Sequence, residues 1–241
     1  MIAPGERCLG MASEQRVAVV TGGAGAIGSA IVTALQDSGH RTVVIDRAGD
    51  VECDLASESS IEEAAAVVLE RHGRCDVLVH CAGVFDPMPL SEFDLERWRA
   101  LMAVNVEASL WLARAFTPGM VERGFGRIIL ISSDGQWSPP SAEFLPYVTS
   151  KAAVLGLMRT LAVTFGDDGI AVTAVAPGLT DTPLSRAVVG ENAIDAVVTT
   201  QAMKRRLVPS DTGHAVAFLA SDGAQALTGQ VLVVDGGAHM R

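Results

Sequence analysis

Apolar and polar positions along the chain switch repeatedly between two periodicities. Short runs of β-branched and aliphatic residues read as strands buried on both faces: Val17-Ala-Val-Val-Thr21, Arg41-Thr-Val-Val-Ile-Asp46, Asp76-Val-Leu-Val79, Arg127-Ile-Ile-Leu-Ile131, Ile170-Ala-Val-Thr-Ala-Val175 and Val231-Leu-Val-Val234. A weaker run, Val51-Glu-Cys53, makes seven strands in all. Between them the spacing is helical, as in Ile27, Ile31, Ala34 and Leu35, in the Ala/Val-rich run to His72, and in Trp98, Leu101, Met102, Leu112 and Phe116. Tyr147 to Phe165 and Ser210 to Ser221 continue the alternation. Ser60 and Glu63 form an S-x-x-E capping box that predicts a helix start. Pro118 predicts a kink or break in the stretch from Glu92 to Arg123. Apolar strands separated by helices predict an α/β doubly wound parallel sheet covered by helices on both faces. The fold is expected to be one domain over residues 15–241, after a loose tail at 1–14 in which Met11 is a candidate start. Residues 184–208 are neither clearly periodic nor loop-like, and are read as a flap over a site.

Composition narrows the function. With 49% hydrophobic and 19% charged residues the chain of 241 can bury a sizeable core. Twenty-eight acidic residues against 18 basic ones give a net charge of −10, the wrong sign for a nucleic-acid or acidic-membrane partner, so a small molecule is expected. Cys8, Cys53, Cys75 and Cys81 form no CxxC pair, which favours reduced thiols, a cytoplasmic setting and no metal site. Met1 to Arg16 lacks the apolar run of a secretory signal. Val17 to Gln36 carries no charge and is close to bilayer length, but Gly22, Gly23, Gly25 and Gly28 divide it into strand, tight turn and helix.

That turn is the first candidate for chemistry. Gly23, Gly25 and Gly28 match G-x-G-x-x-G at a strand-to-helix junction, where a dinucleotide's pyrophosphate meets backbone N–H groups and the positive end of a helix. Gly22, Ala26 and Ile27 complete the loop. Asp46 ends the next strand, where a carboxylate binds the adenosine ribose hydroxyls and repels a 2′-phosphate. This predicts NAD(H), although Arg47 beside it is able to pair a phosphate. Asp46 also suits a purely structural part, capping the turn after its strand.

The second candidate is a pair. Tyr147 is the only tyrosine, and it stands four residues before Lys151, one of two lysines. On a helix the two share a face. A phenol is a poor acid–base catalyst at neutral pH, and a nearby ammonium is expected to lower its pKa. Upstream, Ser132 and Ser133 follow a strand, at the sheet edge where ligands bind in this fold, and one hydroxyl there suits a substrate oxygen.

Together with Asn105, Asp54-Leu55, Ala82-Gly83, Pro177-Gly178, Thr180, Thr182, Thr228-Gly-Gln-Val231 and Asp235-Gly-Gly237, these residues make the chain resemble the single-domain, Rossmann-like short-chain dehydrogenases/reductases from about Val17 to Gly237. The resemblance implies that Ser133 binds the substrate oxygen, Tyr147 is the general acid, Lys151 tunes it and binds the nicotinamide ribose, and Asn105 holds a relay water. It further implies that Asp54 reaches the adenine amino group, that Thr182 reaches the carboxamide or phosphate side, that Gly178 turns the loop near the nicotinamide, and that the protein is a homotetramer joined through its long helices and the tail ending at Arg241. Two departures stand out: Ala26 replaces the middle glycine of the turn, and His80-Cys81 stands where the family has two asparagines. His80 reads as a strand-end residue that alters cofactor affinity, and Cys81 as a small buried one.

For the substrate, Phe85, Gln136, Trp137, Phe144, Leu179 and Leu184 are candidate pocket residues, Trp137 and Phe144 serving equally well as core. Their apolar character, with the resemblance, predicts a carbonyl reductase of aromatic or otherwise apolar ketones and the corresponding secondary alcohols. Two alternatives are an NADPH-dependent 3-oxoacyl-carrier-protein reductase, disfavoured by Asp46 and the negative charge, and a non-catalytic dinucleotide-binding module.

Overall fold

The computed structural model describes residues 15–240. The expected tail at 1–14, with Met11 and Cys8, and the terminal Arg241 lie outside the described residues. Seven strands form one all-parallel sheet: β1 (Val17–Thr21), β2 (Arg41–Asp46), β3 (Val51–Glu52), β4 (Val77–His80), β5 (Gly126–Ile131), β6 (Ile170–Pro177) and β7 (Val231–Val234), in the order β3-β2-β1-β4-β5-β6-β7. The strand order reverses between β1 and β4, which opens a crevice at their carboxyl ends.

The apolar runs are continuous because each strand feeds two cores. Val17 and Val19 of β1, Leu78 of β4, and Ile128 and Leu130 of β5 join one cluster. Their neighbours Ala18, Val20, Val77, Val79, Ile129 and Ile131 join the other. The first face is covered by α2 (Glu58–His72), α4 (Ala108–Arg123) and α5 (Leu145–Phe165), through residues such as Ile61, Phe116 and Met158. The second is covered by α1 (Ala26–Asp37) and α8 (Pro209–Ala220), through Ile31, Leu35, Val216 and Leu219. Those two helices approach so closely that a Cβ on Gly213 would stand 2.7 Å from the Ala30 carbonyl oxygen. Burying a Leu or Ile side chain contributes about 1.5–3 kcal/mol, so both faces stabilise the sheet strongly. Residues 142–168, which include α5, are long and apolar enough to cross a bilayer, but α5 packs its Val154, Met158 and Leu161 onto the first core.

Two expectations are corrected, and a third segment is described. The second helix starts earlier than the Ser60–Glu63 box: Ser57 is the N-cap and its hydroxyl accepts from Ser60 N–H at 3.3 Å. Ser60 lies inside the helix, with its own oxygen accepting from Asp54 N–H. Pro118 does not divide its segment. It sits within α4, and the break falls before it, at a π-helical turn over Ala103–Glu107 that follows α3 (Leu95–Met102). Finally, residues 184–208 hold two short helices, α6 (Pro183–Val189) and α7 (Glu191–Thr200), joined at Gly190 with φ +80°. Asp181 pins this region by accepting from Arg186 at 2.6 Å and Arg206 at 3.1 Å, and the two guanidiniums pull its carboxyl down to about 2.

Candidate active site

At the carboxyl end of β1 the glycine turn closes on itself. Gly22 takes φ +69°, and a Cβ there would meet Ala82 backbone at 2.7 Å. A Cβ on Gly28 would stand 2.0 Å from the Gly22 carbonyl oxygen, so the turn admits only glycine at both places. Gly25 is the N-cap of α1, with no side chain bonded to the helix start and no acidic residue in the first turn. The leading N–H groups, from Ala26, Ile27 and Gly28, therefore present donors and a positive dipole end with no counter-group of their own. This cradle fits a pyrophosphate. Asp46 ends β2 beside it: one carboxylate oxygen accepts from Ala24 N–H at 3.1 Å and the other from Arg47 N–H at 2.7 Å. Both oxygens are thus met by backbone, as the turn-capping reading requires. Asp54 is exposed and its Oδ1 accepts from Ala56 N–H at 3.0 Å, while Leu55 is buried in the core.

His80 is more than a strand-end residue. It is 1% exposed; its Nε2 lies 3.0 Å from the Val104 carbonyl oxygen and its Nδ1 2.9 Å from Thr21 Oγ1, which also accepts from Ala82 N–H at 3.3 Å. A carbonyl partner requires the proton on Nε2, so Nδ1 accepts from Thr21. One neutral ring thus ties the glycine turn to the π-helical turn. Burial, reinforced by Lys151, pulls His80 down to about 4. Cys81, expected to be buried, is half-buried against the second core, and desolvation pushes its thiol up to about 11.

Asn105 occupies the middle of the π-helical turn and is fully buried. Its Oδ1 accepts from Val84 N–H at 2.7 Å, and its Nδ2 donates to the Val84 carbonyl at 3.0 Å and to Ser150 Oγ at 3.0 Å. Both amide hydrogens are thus used within the protein. Ser150 in turn donates to the Tyr147 carbonyl at 2.7 Å, which links Asn105 to the tyrosine's helix.

Of the two serines, Ser132 is engaged internally, donating to the Lys151 carbonyl at 2.8 Å and accepting from Gln136 at 3.0 Å. Ser133 accepts from Gly135 N–H at 3.2 Å, and its hydroxyl acts to lower the Tyr147 phenol against burial. Gln136 also donates to the Ser133 carbonyl at 3.0 Å, so it braces the serine turn and stays half-buried.

In this structure desolvation, not Lys151, sets the direction of the Tyr147 phenol. Lys151 Nζ donates to the Ile131 carbonyl at 2.8 Å and stands 5.7 Å from the Tyr147 ring centroid. With the ammonium turned to that carbonyl, burial dominates and pushes the phenol up to about 12, while burial lowers Lys151 to about 8. A Cβ on Gly83 would lie 3.4 Å from Lys151 Nζ and 3.6 Å from Asn105 Oδ1, so the lysine and asparagine converge in front of Gly83.

Phe85 packs edge-on against Tyr147, ring centroids 5.0 Å apart, and against Phe144 at 4.8 Å. Phe144 is buried, Trp137 packs on the first core, Leu179 is half-buried, and Leu184 is 62% exposed, so Leu184 lines no enclosed pocket. Pro177 ends β6, and Gly178 packs tightly, since a Cβ there would stand 3.0 Å from Asp235 Cα. Thr180 donates to the Gly178 carbonyl at 3.0 Å, and Thr182 caps α6 through Ser185. Sequence reasoning passed over Asp134 and His239. The Asp134 carboxylate follows Ser133 directly, and its Oδ2 lies 3.7 Å from His239 Nδ1.

A family model described as enoyl-(acyl carrier protein) reductase matches residues 22–239. The chain is a short-chain dehydrogenase/reductase. D-threitol dehydrogenase of Mycolicibacterium smegmatis is 31% identical to it over 240 residues, covering 92% of each chain. cis-4-Hydroxycyclohexanecarboxylate dehydrogenase of Sinomonas cyclohexanicum is 34% identical, covering 95% of this chain and 98% of its own. A solved gluconate 5-dehydrogenase of Burkholderia cenocepacia J2315, in complex with NADP and tartrate, is 30% identical with a TM-score of 0.86, covering 92% and 94% of the two chains. As a short-chain dehydrogenase/reductase the protein binds a nicotinamide dinucleotide and is an oxidoreductase acting on alcohol and carbonyl groups.

Proposed function

We propose that this short-chain dehydrogenase/reductase transfers a hydride between NAD(H) and a ketone or secondary alcohol, as a cytoplasmic, homotetrameric carbonyl reductase of aromatic or otherwise apolar ketones. The observation that carries the reading is the meeting of Ser133, Tyr147 and Lys151 at the open end of β5, against the rings of Phe85 and Phe144. The nicotinamide, when bound, supplies or accepts the hydride. Ser133 donates to the substrate oxygen. Tyr147, held protonated by burial, passes its phenolic proton to that oxygen as charge develops on it. Lys151 stabilises the phenolate left behind and holds the nicotinamide ribose; Asn105 keeps Val84 and the tyrosine helix in register. The α1 start at Gly25, Ala26, Ile27 and Gly28, with Gly22, holds the pyrophosphate. Asp46 accepts from the adenosine ribose and Asp54 from the adenine amine. Ala82 and Gly83 pass beneath the cofactor, and Pro177, Gly178, Thr180 and Thr182 border its nicotinamide end.

NADP in the solved neighbour and Arg47 beside Asp46 support a second reading, use of NADPH. Loss of reduced-nicotinamide absorbance with a panel of neutral aryl and alkyl ketones separates the two. NADH is expected to give the higher kcat/KM, and Tyr147→Phe to lower kcat by about a thousandfold, within the usual range for acid–base catalysis. Equal turnover by Tyr147→Phe would overturn the mechanism, and preference for NADPH would overturn the part given to Asp46.

A further inference from the structure

Beside the reacting groups lies a set of charges that the proposed mechanism does not use. Asp134 opens the turn after Ser133, its side chain 16% exposed. The Ser133 hydroxyl caps the turn that Asp134 opens, and it acts on both the Asp134 carboxylate and the Tyr147 phenol, lowering each. From the segment after β7, His239 Nδ1 approaches Asp134 Oδ2 at 3.7 Å and Asp235 Oδ2 at 3.1 Å. Asp235 is 3% exposed and accepts from Gly237 N–H at 2.9 Å and His239 N–H at 2.8 Å, which fixes the imidazole in place. The groups facing Asp134 are thus His239, Asp235 and Tyr147. Desolvation and the Asp235 charge push Asp134 up to about 6 against the pull of His239. Its charge also reaches the reaction centre, where it adds to the upward pressure on Tyr147.

A substrate oxygen held by Ser133 and Tyr147 therefore sits beside the residue that follows Ser133 in the chain, whose carboxylate lies in a partly desolvated site where like charges repel strongly. We propose that Asp134 is a specificity-determining residue, whose carboxylate, screened by His239, turns away substrates carrying a carboxylate next to the reacting carbon and favours neutral or cationic ones. This rests on the carbonyl-reductase reading, and it adds a charge rule that an apolar pocket alone does not supply.

The test uses one ketone in two charge states, methyl benzoylformate and benzoylformate. Their dissociation constants from the NAD-loaded enzyme are measured by calorimetry, and their kcat/KM values with NADH in parallel. At pH 8 the wild type is expected to favour the ester, and Asp134→Asn to narrow the ester-to-acid ratio about tenfold in both measurements. In the wild type the ratio should shrink as pH falls from 8 through 6, because Asp134 is protonated, while Asp134→Asn stays flat. A ratio that Asp134→Asn leaves unchanged in binding would overturn the proposal. Should the binding ratio respond as expected while neither compound is reduced, the charge rule stands and the carbonyl-reductase reading falls.

Discussion

The two ends of β4 and its neighbours hold buried charges in opposite ways. At the amino end Asp76 is fully buried, and its two oxygens accept from Val17 N–H at 2.8 Å and from Arg74 at 2.7 and 2.9 Å, with Arg123 3.3 Å away. At the carboxyl end Lys151 has a carbonyl as its partner, Tyr147 has Ser133, and Asp134 has one imidazole. A buried carboxylate matched by guanidiniums and backbone holds structure together. Under-matched groups shift in pKa instead, and such groups are available for proton transfer and ligand recognition. One sheet thus carries a stabilising end and a reactive end.

Three experiments press on that contrast, in order of expected size. Asp76→Ala leaves Arg74, Arg123 and Val17 N–H facing a buried vacancy and should cost about 3–5 kcal/mol in chemical unfolding, with activity per folded molecule unchanged. A loss of activity at unchanged stability would move Asp76 to the reactive side. Next comes His80, neutral and buried at the carboxyl end of β4. Because its folded pKa of about 4 lies below the unfolded value of 6.5, the unfolded chain binds its proton first and stability falls as pH drops between them. Between pH 7 and pH 5 this amounts to about 2 kcal/mol, which His80→Asn should remove from the pH dependence of unfolding. An identical slope in the variant would contradict the assignment. The smallest effect is expected at Asp46, where the carboxylate is only partly buried. Asp46→Asn should raise kcat/KM for NADPH relative to NADH about tenfold, or about 1.4 kcal/mol. An unmoved ratio would place cofactor choice elsewhere.

How far this was legible from the sequence differs by element. The strands could be read because each unbroken apolar run supplies two cores, a pattern that survives without knowledge of partners. The glycine turn and the Tyr147–Lys151 pair could be read for the same local reason: their meaning lies within a few residues. The π-helical turn could not, since Ala103-Val-Asn-Val-Glu107 contains no breaker, whereas Pro118 drew attention and is tolerated inside α4. Spacing placed Lys151 on the tyrosine's face but could not show that the Ile131 carbonyl would claim its ammonium. His80 and Asp134 escaped because their partners, Val104 and His239, come from distant stretches of chain.

The central claim is that a nicotinamide and an apolar ketone exchange a hydride at the reactive end of the sheet. NADH carrying deuterium at both C4 positions, incubated with wild-type enzyme and a neutral aryl ketone, tests it most directly by mass spectrometry of the product. The account predicts an alcohol one mass unit heavier, with the deuterium on the carbinol carbon. An alcohol without the label, or unchanged ketone beside fully bound NADH, would contradict it.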